Sequence, residues 1–322
     1  MKKFVQLLLV IAAAVTPIIG FAQSSAKPTP KKVLFFSKSS GFEHDAIKEK
    51  MKDGKPGYAF PVMSKLGEDD AIEFTFSKDG SKFTPDYLAQ FDAFVFYTTG
   101  DLNVSKVSNP SAPIFTGDGN PGFPAGGKEA LLKAIESGKG FVGIHSASDS
   151  FHTHAKSEHG PERFVSDGDK ADDYVKMLGG EFIQHGKQQI SHLTIVDRSF
   201  PGISAYPESP AIHEEWYSLK NFAPDLHVLI VNQTKDMEGI EYARPDYPST
   251  WIRLHGKGRV FYTNMGHRDD LWQSAAFQSL LTGALNWTLK RVDADTTPNL
   301  KTAAPEASTL PKYVAPPPKK ST

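Results

Sequence analysis

Residues 140–151 read GFVGIHSASDSF, and the fold turns on how that stretch is read. Phe141–His145 is a short strand-prone run that ends in a turn of small residues, Ser146-Ala147-Ser148. The segment just before it, Lys128–Ser137 (KEALLKAIES), has helical spacing and stops at Gly138. A helix therefore delivers the chain directly into a buried strand. Working outward, the same alternation recurs. Lys32–Ser37 reads as a short buried strand, and His44–Leu66 as partly helical, interrupted by Gly54, Pro56 and Pro61. Strands follow at Ile72–Phe76 and Ala93–Tyr97, then a long loop over 102–127 dense in Pro, Gly, Ser and Asn. Apolar runs of this length between helices predict a parallel sheet covered on both faces. The expected class is α/β, a doubly wound, mostly parallel sheet.

The second half carries extra strands: Gln188–Val196, Ala211–Leu219, His227–Val231, Gly239–Tyr242, Ser249–Leu254 and Arg259–Thr263, with Gly256-Lys257-Gly258 as a hairpin turn. A closing helix is expected from Asp269-Asp270, whose carboxylates suit a helix N-terminus. In doubly wound sheets ligands collect beyond the carboxyl ends of the strands. Ser37–His44, the Thr98–Asp101 turn and His145 all fall at such ends. Neither GxGxxG nor GxxxxGK[ST] is present, so nucleotide binding has little support.

Both ends look extraneous to this domain. Lys2 and Lys3 precede the apolar run VQLLLVIAAAVTPIIGFA, which closes in small residues, as a secretory signal does. Residues 1–22 are read as a signal peptide, which implies a periplasmic or secreted protein, and 23–31 as a linker. The domain spans 32–290, and 291–322, rich in Pro, Ala, Lys and Thr, is expected to be a flexible tail. Without Lys2 and Lys3 the chain has a formal charge of −3 and no basic block, which disfavours nucleic acid as a partner. No second apolar stretch is long enough to cross a membrane, so no stable insertion is expected after cleavage. The sequence is silent on oligomeric state. It contains no cysteine, so neither a disulfide nor a thiolate contributes to anything the protein does.

The chemistry must then come from histidine and carboxylate. His44, His145, His185 and His267 sit beside glycine or at expected turns, and HEEWY adds Glu214 and Glu215. Imidazole with carboxylate suits either a divalent metal, zinc by default, or acid–base work near neutral pH. There is no HExxH run, so any metal site must be assembled from distant segments. Trp216 and Tyr217, beside the glutamates, are equally compatible with packing against a sugar face and with the core, whereas Trp251 reads as core. His152, His154 and His159 lie in a polar loop and are read as incidental.

Five ordered motifs carry a family resemblance: VLFFSKSSGFEHDAI, GKGFVGIHSASDSF, LGGEFIQH, HEEWY and PSTWIRLHGKGRVFYTNMGHRDDLW. Over about residues 32–289 the chain resembles the trehalose-utilisation (ThuA-like) family, whose domain has the class I glutamine amidotransferase-like fold, a flavodoxin-like architecture. In true amidotransferases of this fold the corner after the strand holds a nucleophilic Cys, activated by a later His. Here His145 takes the corner and His267 falls near the activating position, so Cys-dependent glutamine hydrolysis is ruled out. The resemblance implies a pocket of His44, His145, His185, Glu215 and His267. The family's acidic motif commonly begins Asp-Glu, whereas this chain has Glu214-Glu215, which makes the role of Glu214 less secure.

The resemblance further implies carbohydrate catabolism, with a small-molecule sugar as partner and a 3-keto glycoside as the expected substrate. On this reading His145, His267 and Glu215 are the catalytic candidates, and His44, His185, Glu214, Trp216 and Tyr217 bind substrate. Any zinc or other divalent metal would be held from among His145, His185, His267 and Glu215. A carbohydrate-binding protein without turnover and a metal-dependent amide or ester hydrolase are the alternatives.

Overall fold

A computed structural model describes residues 29–105, 117–154 and 160–315. The expected signal peptide, His159 and the last seven residues lie outside the described residues. One nine-stranded sheet organises the chain. Its parallel part comprises β1 (Lys31–Phe36), β2 (Ile72–Ser77), β3 (Ala93–Phe96), β4 (Gly140–Ile144) and β11 (Gly258–Thr263), in the order β2-β1-β3-β4-β11. Beyond β11 the sheet continues antiparallel through β10 (Tyr247–His255), β9 (His227–Asn232), β6 (Gln189–Ile195) and β7 (Ala211–Glu214). A separate antiparallel pair joins β5 (Glu181–His185) to β8 (Tyr217–Lys220). The class is the expected one, α/β with added strands in the second half.

The two-residue period of each strand divides the core into two layers. Val33, Phe35, Val95, Val142, Ile144 and Phe261 face one side, where α1 (Ala59–Asp70) and α6 (Ala275–Thr288) cover them. Leu34, Phe36, Phe94, Phe96, Phe141 and Tyr262 face the other, under α2 (Pro85–Ala89), α3 (Gly127–Glu136) and α4 (Asp173–Leu178). Each such side chain taken out of water contributes about 1.5–3 kcal/mol. That explains why the central strands read as unbroken apolar runs.

Three expectations change in the structure. Ala211–Leu219 is not one extended segment: the chain leaves the large sheet after Glu214 and enters the small one at Tyr217, turning through Glu215 and Trp216. Gly239–Tyr242 is not a strand, because Tyr242 Oη donates to Trp216 O and accepts from Gly186 N, and the chain bends there into a 3-10 turn at Ile240–Tyr242. The closing helix is two helices, α5 (Asp269–Trp272) and α6, separated where the Ser274 side chain accepts from Phe277 N and starts a new helix.

The C-terminal segment also differs from the flexible tail expected from its composition. Asn299 Oδ1 accepts from Val228 N at 2.6 Å and its Nδ2 donates to Val228 O at 3.1 Å, so one side chain acts as a strand partner for β9. Past α7 (Leu300–Ala303), Ala304 and Ala307 are buried, and Arg244 Nη2 donates to Ala307 O at 2.6 Å. A few fixed polar contacts to a rigid sheet order a segment that has little apolar surface of its own. Asn299→Ala is expected to lower unfolding free energy by about 1–2 kcal/mol. An unchanged urea midpoint would show that the segment only rests on the sheet.

Candidate functional site

The carboxyl ends of β1, β4 and β11 converge on one point, and the β7–β8 turn reaches the same point from the side. His145 is the first residue past β4 and takes a left-handed backbone, φ 46°. That conformation is uncommon for a residue with a side chain, and it turns the chain sharply out of the sheet. The turn is held from both sides. Tyr262 Oη donates to His145 O at 2.8 Å, and His145 Nδ1 donates to Asn264 O at 2.8 Å. The second bond fixes the tautomer and leaves Nε2 as the nitrogen with a free lone pair.

His44, from the loop after β1, and His267, from the loop after β11, complete a ring of three imidazoles around Glu215. Glu215 Oε2 lies 3.5 Å from His145 Nε2, 4.0 Å from His44 Nε2 and 3.0 Å from His267 Nδ1. One ligand atom from each of the four residues lies within 4.8 Å of all the others. His44 Nδ1, His145 Nε2 and His267 Nδ1 are buried without a hydrogen-bond partner, so each ring keeps one unsatisfied nitrogen. The contact of His267 Nδ1 with Glu215 is close but lacks the alignment of a hydrogen bond.

The rings are arranged almost symmetrically. Their centroids are 5.1, 5.3 and 5.4 Å apart, and the planes cross at 87°, 84° and 74°. With metal–nitrogen bonds of about 2.05 Å and a ring centre about 1.15 Å further out, tetrahedral imidazoles have centroids about 5.2 Å apart, octahedral ones about 4.5 Å. The observed triangle matches the tetrahedral value. Three imidazoles and a carboxylate are a zinc-type donor set.

Burial and charge act together here. Burial pushes the His44 imidazole far below its usual range, and the neighbouring His145 and His267 add to this, so the ring is neutral. Burial alone would raise the Glu215 carboxyl, but His145, His267 and His185 outweigh it and hold the group far below the carboxylate range. His267 moves the other way: burial lowers it, yet the carboxylate of Glu215 more than compensates. A neutral imidazole and an ionised carboxylate are the states a metal needs.

With this geometry in view, the comparisons become informative. A family model described as ThuA, trehalose utilisation, matches residues 32–288. The chain belongs to the ThuA family. Among solved structures, a ThuA-like protein from Bacteroides uniformis superposes with a TM-score of 0.55 at 19% identity, covering 84% of this chain and 95% of that one. A second, from Parabacteroides merdae, gives a TM-score of 0.49 at 17% identity, covering 89% and 98%. At such identity the likeness speaks for the fold alone. No curated protein matches the chain.

The other sequence candidates of this ThuA domain fall in different places. His185 stands at the rim, its side chain 41% exposed, with Nδ1 2.9 Å from Gly186 O and 3.4 Å from Glu215 Oε1. Tyr217 is an inner wall: its ring lies 4.1 Å from that of His145, and its hydroxyl is 3.2 Å from His44 Nε2. Trp216, considered as a sugar platform, is fully buried and donates its indole N–H to Gln189 O, so it belongs to the core. Glu214, expected to bind substrate, is also fully buried, and its carboxylate is taken up by backbone N–H groups.

Sequence reasoning missed Asn264, whose carbonyl orients His145 and whose side chain bonds both the N–H and the C=O of Tyr217. It also missed Tyr97 and Trp272, which both donate to Gly266 O and hold the His267 loop. Asn264 was the more findable, being three residues before His267 in a motif already singled out.

The second histidine group is not incidental. His152 is buried, with Nδ1 3.1 Å from Glu181 Oε1 and Nε2 2.5 Å from Asp149 Oδ1. Glu181 also accepts from Thr153 N, Thr153 Oγ1 and Asn221 Nδ2, and the buried Lys220 lies 3.9 Å away. His154 pairs with Asp167, which in turn accepts from Lys220. This network fastens residues 152–154 and 162–172 to β5 and β8. Burial raises the Glu181 carboxyl, but His152, Lys220 and the Thr153 N–H outweigh it and lower it to about 2.

A depressed carboxyl stabilises the fold at pH values above its unfolded pKa, and that stability is lost as pH falls through its folded one. Glu181→Gln is therefore expected to cost roughly 3 kcal/mol at pH 7. The gap to wild type should close between about pH 4.5 and pH 2. Urea unfolding of both proteins across that range checks it, and a gap independent of pH would contradict the assignment.

Proposed function

We propose that this ThuA-family protein is an enzyme of carbohydrate catabolism that acts on an oxidised (3-keto) glycoside at a divalent metal centre of His44, His145, His267 and Glu215. The observation that carries the reading is the symmetric triangle of imidazoles around Glu215, in which His145 Nε2 and His267 Nδ1, the nitrogens that face the carboxylate, are buried and unsatisfied. Leaving such groups unpaired costs about 1–3 kcal/mol each, an arrangement that makes sense where a ligand satisfies them. Family membership supports the sugar part of the reading.

A metal bound there supplies Lewis-acid polarisation of a carbonyl oxygen. The remaining work falls to side chains. His145 is held by its left-handed turn and its bond to Asn264, so its Nε2 has a fixed direction. Tyr217 closes the inner wall. His185 is the basic group nearest the opening, its side chain 41% exposed, with His267 and Glu215 behind it. A ketone at C3 acidifies the C2–H bond, and a base at the opening takes that proton. The electron pair left on C2 forms the C1–C2 double bond as the C1–O bond breaks. The aglycone departs with the glycosidic oxygen and gains a proton as an alcohol. Isomerisation or hydration begins from the same proton removal.

The test is elemental mass spectrometry of the untagged protein, followed by turnover of 3-keto glycosides. About one zinc or other transition metal per chain is expected, with loss of metal and of turnover in His145→Ala. A protein without metal and without turnover that still binds sugars saturably would be a binding module instead.

A further inference from the structure

Glu214 has no part in the reading above, and its surroundings are unusual. It is fully buried, and among the described residues no cation forms an ion pair with it. Its partners are backbone N–H groups from two segments distant in sequence. Oε1 accepts from Glu215 N at 2.7 Å. Oε2 accepts from Gly266 N at 3.0 Å and His267 N at 3.1 Å, with Arg268 N at 3.5 Å. One carboxylate thus clamps the backbone that carries Glu215 to the backbone that carries His267.

The clamped loop has little freedom elsewhere. Gly266 has φ 133°, a conformation open mainly to glycine, and a Cβ there would lie 2.7 Å from Ile144 Cγ2. Gly266 O accepts from both Tyr97 Oη and Trp272 Nε1. Its N–H groups, by contrast, depend on Glu214.

We infer that Glu214 is a positioning residue that sets the metal affinity of the centre by fixing His267 relative to Glu215; the inference rests on the metal reading proposed above. Only a carboxylate suits the position. It offers acceptors at both ends, whereas an amide offers one acceptor and one donor, and the donor end would face N–H groups. An aspartate is one methylene shorter, so in this backbone the two segments would have to draw together for it to hold both. The buried negative charge matters as well. With Glu215 it brings two carboxylates to a centre meant for a doubly charged cation, which balances the charge inside a region of low polarity.

The experiment is zinc binding by the full untagged chain, in competition with a chromophoric chelator, together with the visible spectrum of the cobalt(II) form. Glu214→Gln and Glu214→Asp are both expected to weaken zinc by about 10–100-fold and to change the ligand-field bands of cobalt. Glu181→Gln, which removes a buried carboxylate that touches none of the four candidate ligands, provides the control for stability. It is expected to bind zinc as wild type does. If the Glu214 variants and wild type bind zinc equally, with the same cobalt spectrum, the positioning role is wrong and the metal reading stands. If Glu181→Gln weakens zinc as much as they do, the effect is a general loss of stability and the inference also fails. If wild type itself binds no metal, the metal reading fails and takes this inference with it.

Discussion

The structure depends on burying three imidazoles around one carboxylate while leaving a nitrogen of each ring unsatisfied. Unsatisfied polar groups in the interior are costly, and an isolated cluster of this kind would open to water or rearrange. It persists because the segments that carry His145, His267 and Glu215 are held at their backbones. His145 is tied to Asn264 and Tyr262, and the His267 loop to Glu214, Tyr97, Trp272 and Tyr58. Glu215 leaves β7 with its N–H on the carboxylate of its own neighbour. The supporting groups outnumber the ligands, as a preorganised site requires. Their own anchors are the buried parallel strands, so the cost of the cluster is spread over the sheet.

The corner after β4 shows how one backbone solution serves different chemistry. A strand that ends in a left-handed residue lifts that side chain clear of the sheet and points it at the space above the neighbouring strands. A thiol or hydroxyl at such a corner is a nucleophile in search of a base. An imidazole there already carries its own lone pair. The bond from its Nδ1 to Asn264 O sets the tautomer, and the β11 loop that supplies this carbonyl also supplies His267. On the reading proposed above, a binding atom stands at this corner where a nucleophile would otherwise attack.

Much of this was legible in the sequence because it rests on local pattern. The apolar runs of β1, β3 and β4 are buried on both faces, and the histidines stand next to the glycines and turns that end those strands. The parts that were not legible depend on distant partners. Nothing within HEEWY says that Glu214 faces the backbone N–H groups of residues 266–268 while Glu215 faces imidazoles. Alternation within a single continuous strand would also have put the two on opposite faces, but the chain changes sheets between β7 and β8. Trp216 was ambiguous for the same reason, since its indole N–H finds Gln189 O on another strand. The tail misled in the opposite direction. Its composition is that of a disordered segment, yet one asparagine matched to a free stretch of β9 is enough to begin ordering it.

Exposure around the centre runs in one direction, and that constrains how anything reaches it. The side chains of His145 and His44 are 0% and 3% exposed, Glu215 12%, His267 20% and His185 41%. Tyr217 and Tyr97 close the inner side, each with a hydroxyl already committed: Tyr217 at His44 and Tyr97 at Gly266 O. A ligand approaching the imidazole triangle therefore meets His185 first, then His267 and Glu215. The aromatic residues that the sequence offered as sugar platforms form the wall and the core behind the site. Nearest solvent stand His185, with His267 and Glu215 behind it, and the exposed ring of Phe42, 4.9 Å from that of His44. An opening built this way offers a ligand both polar groups and one aromatic face.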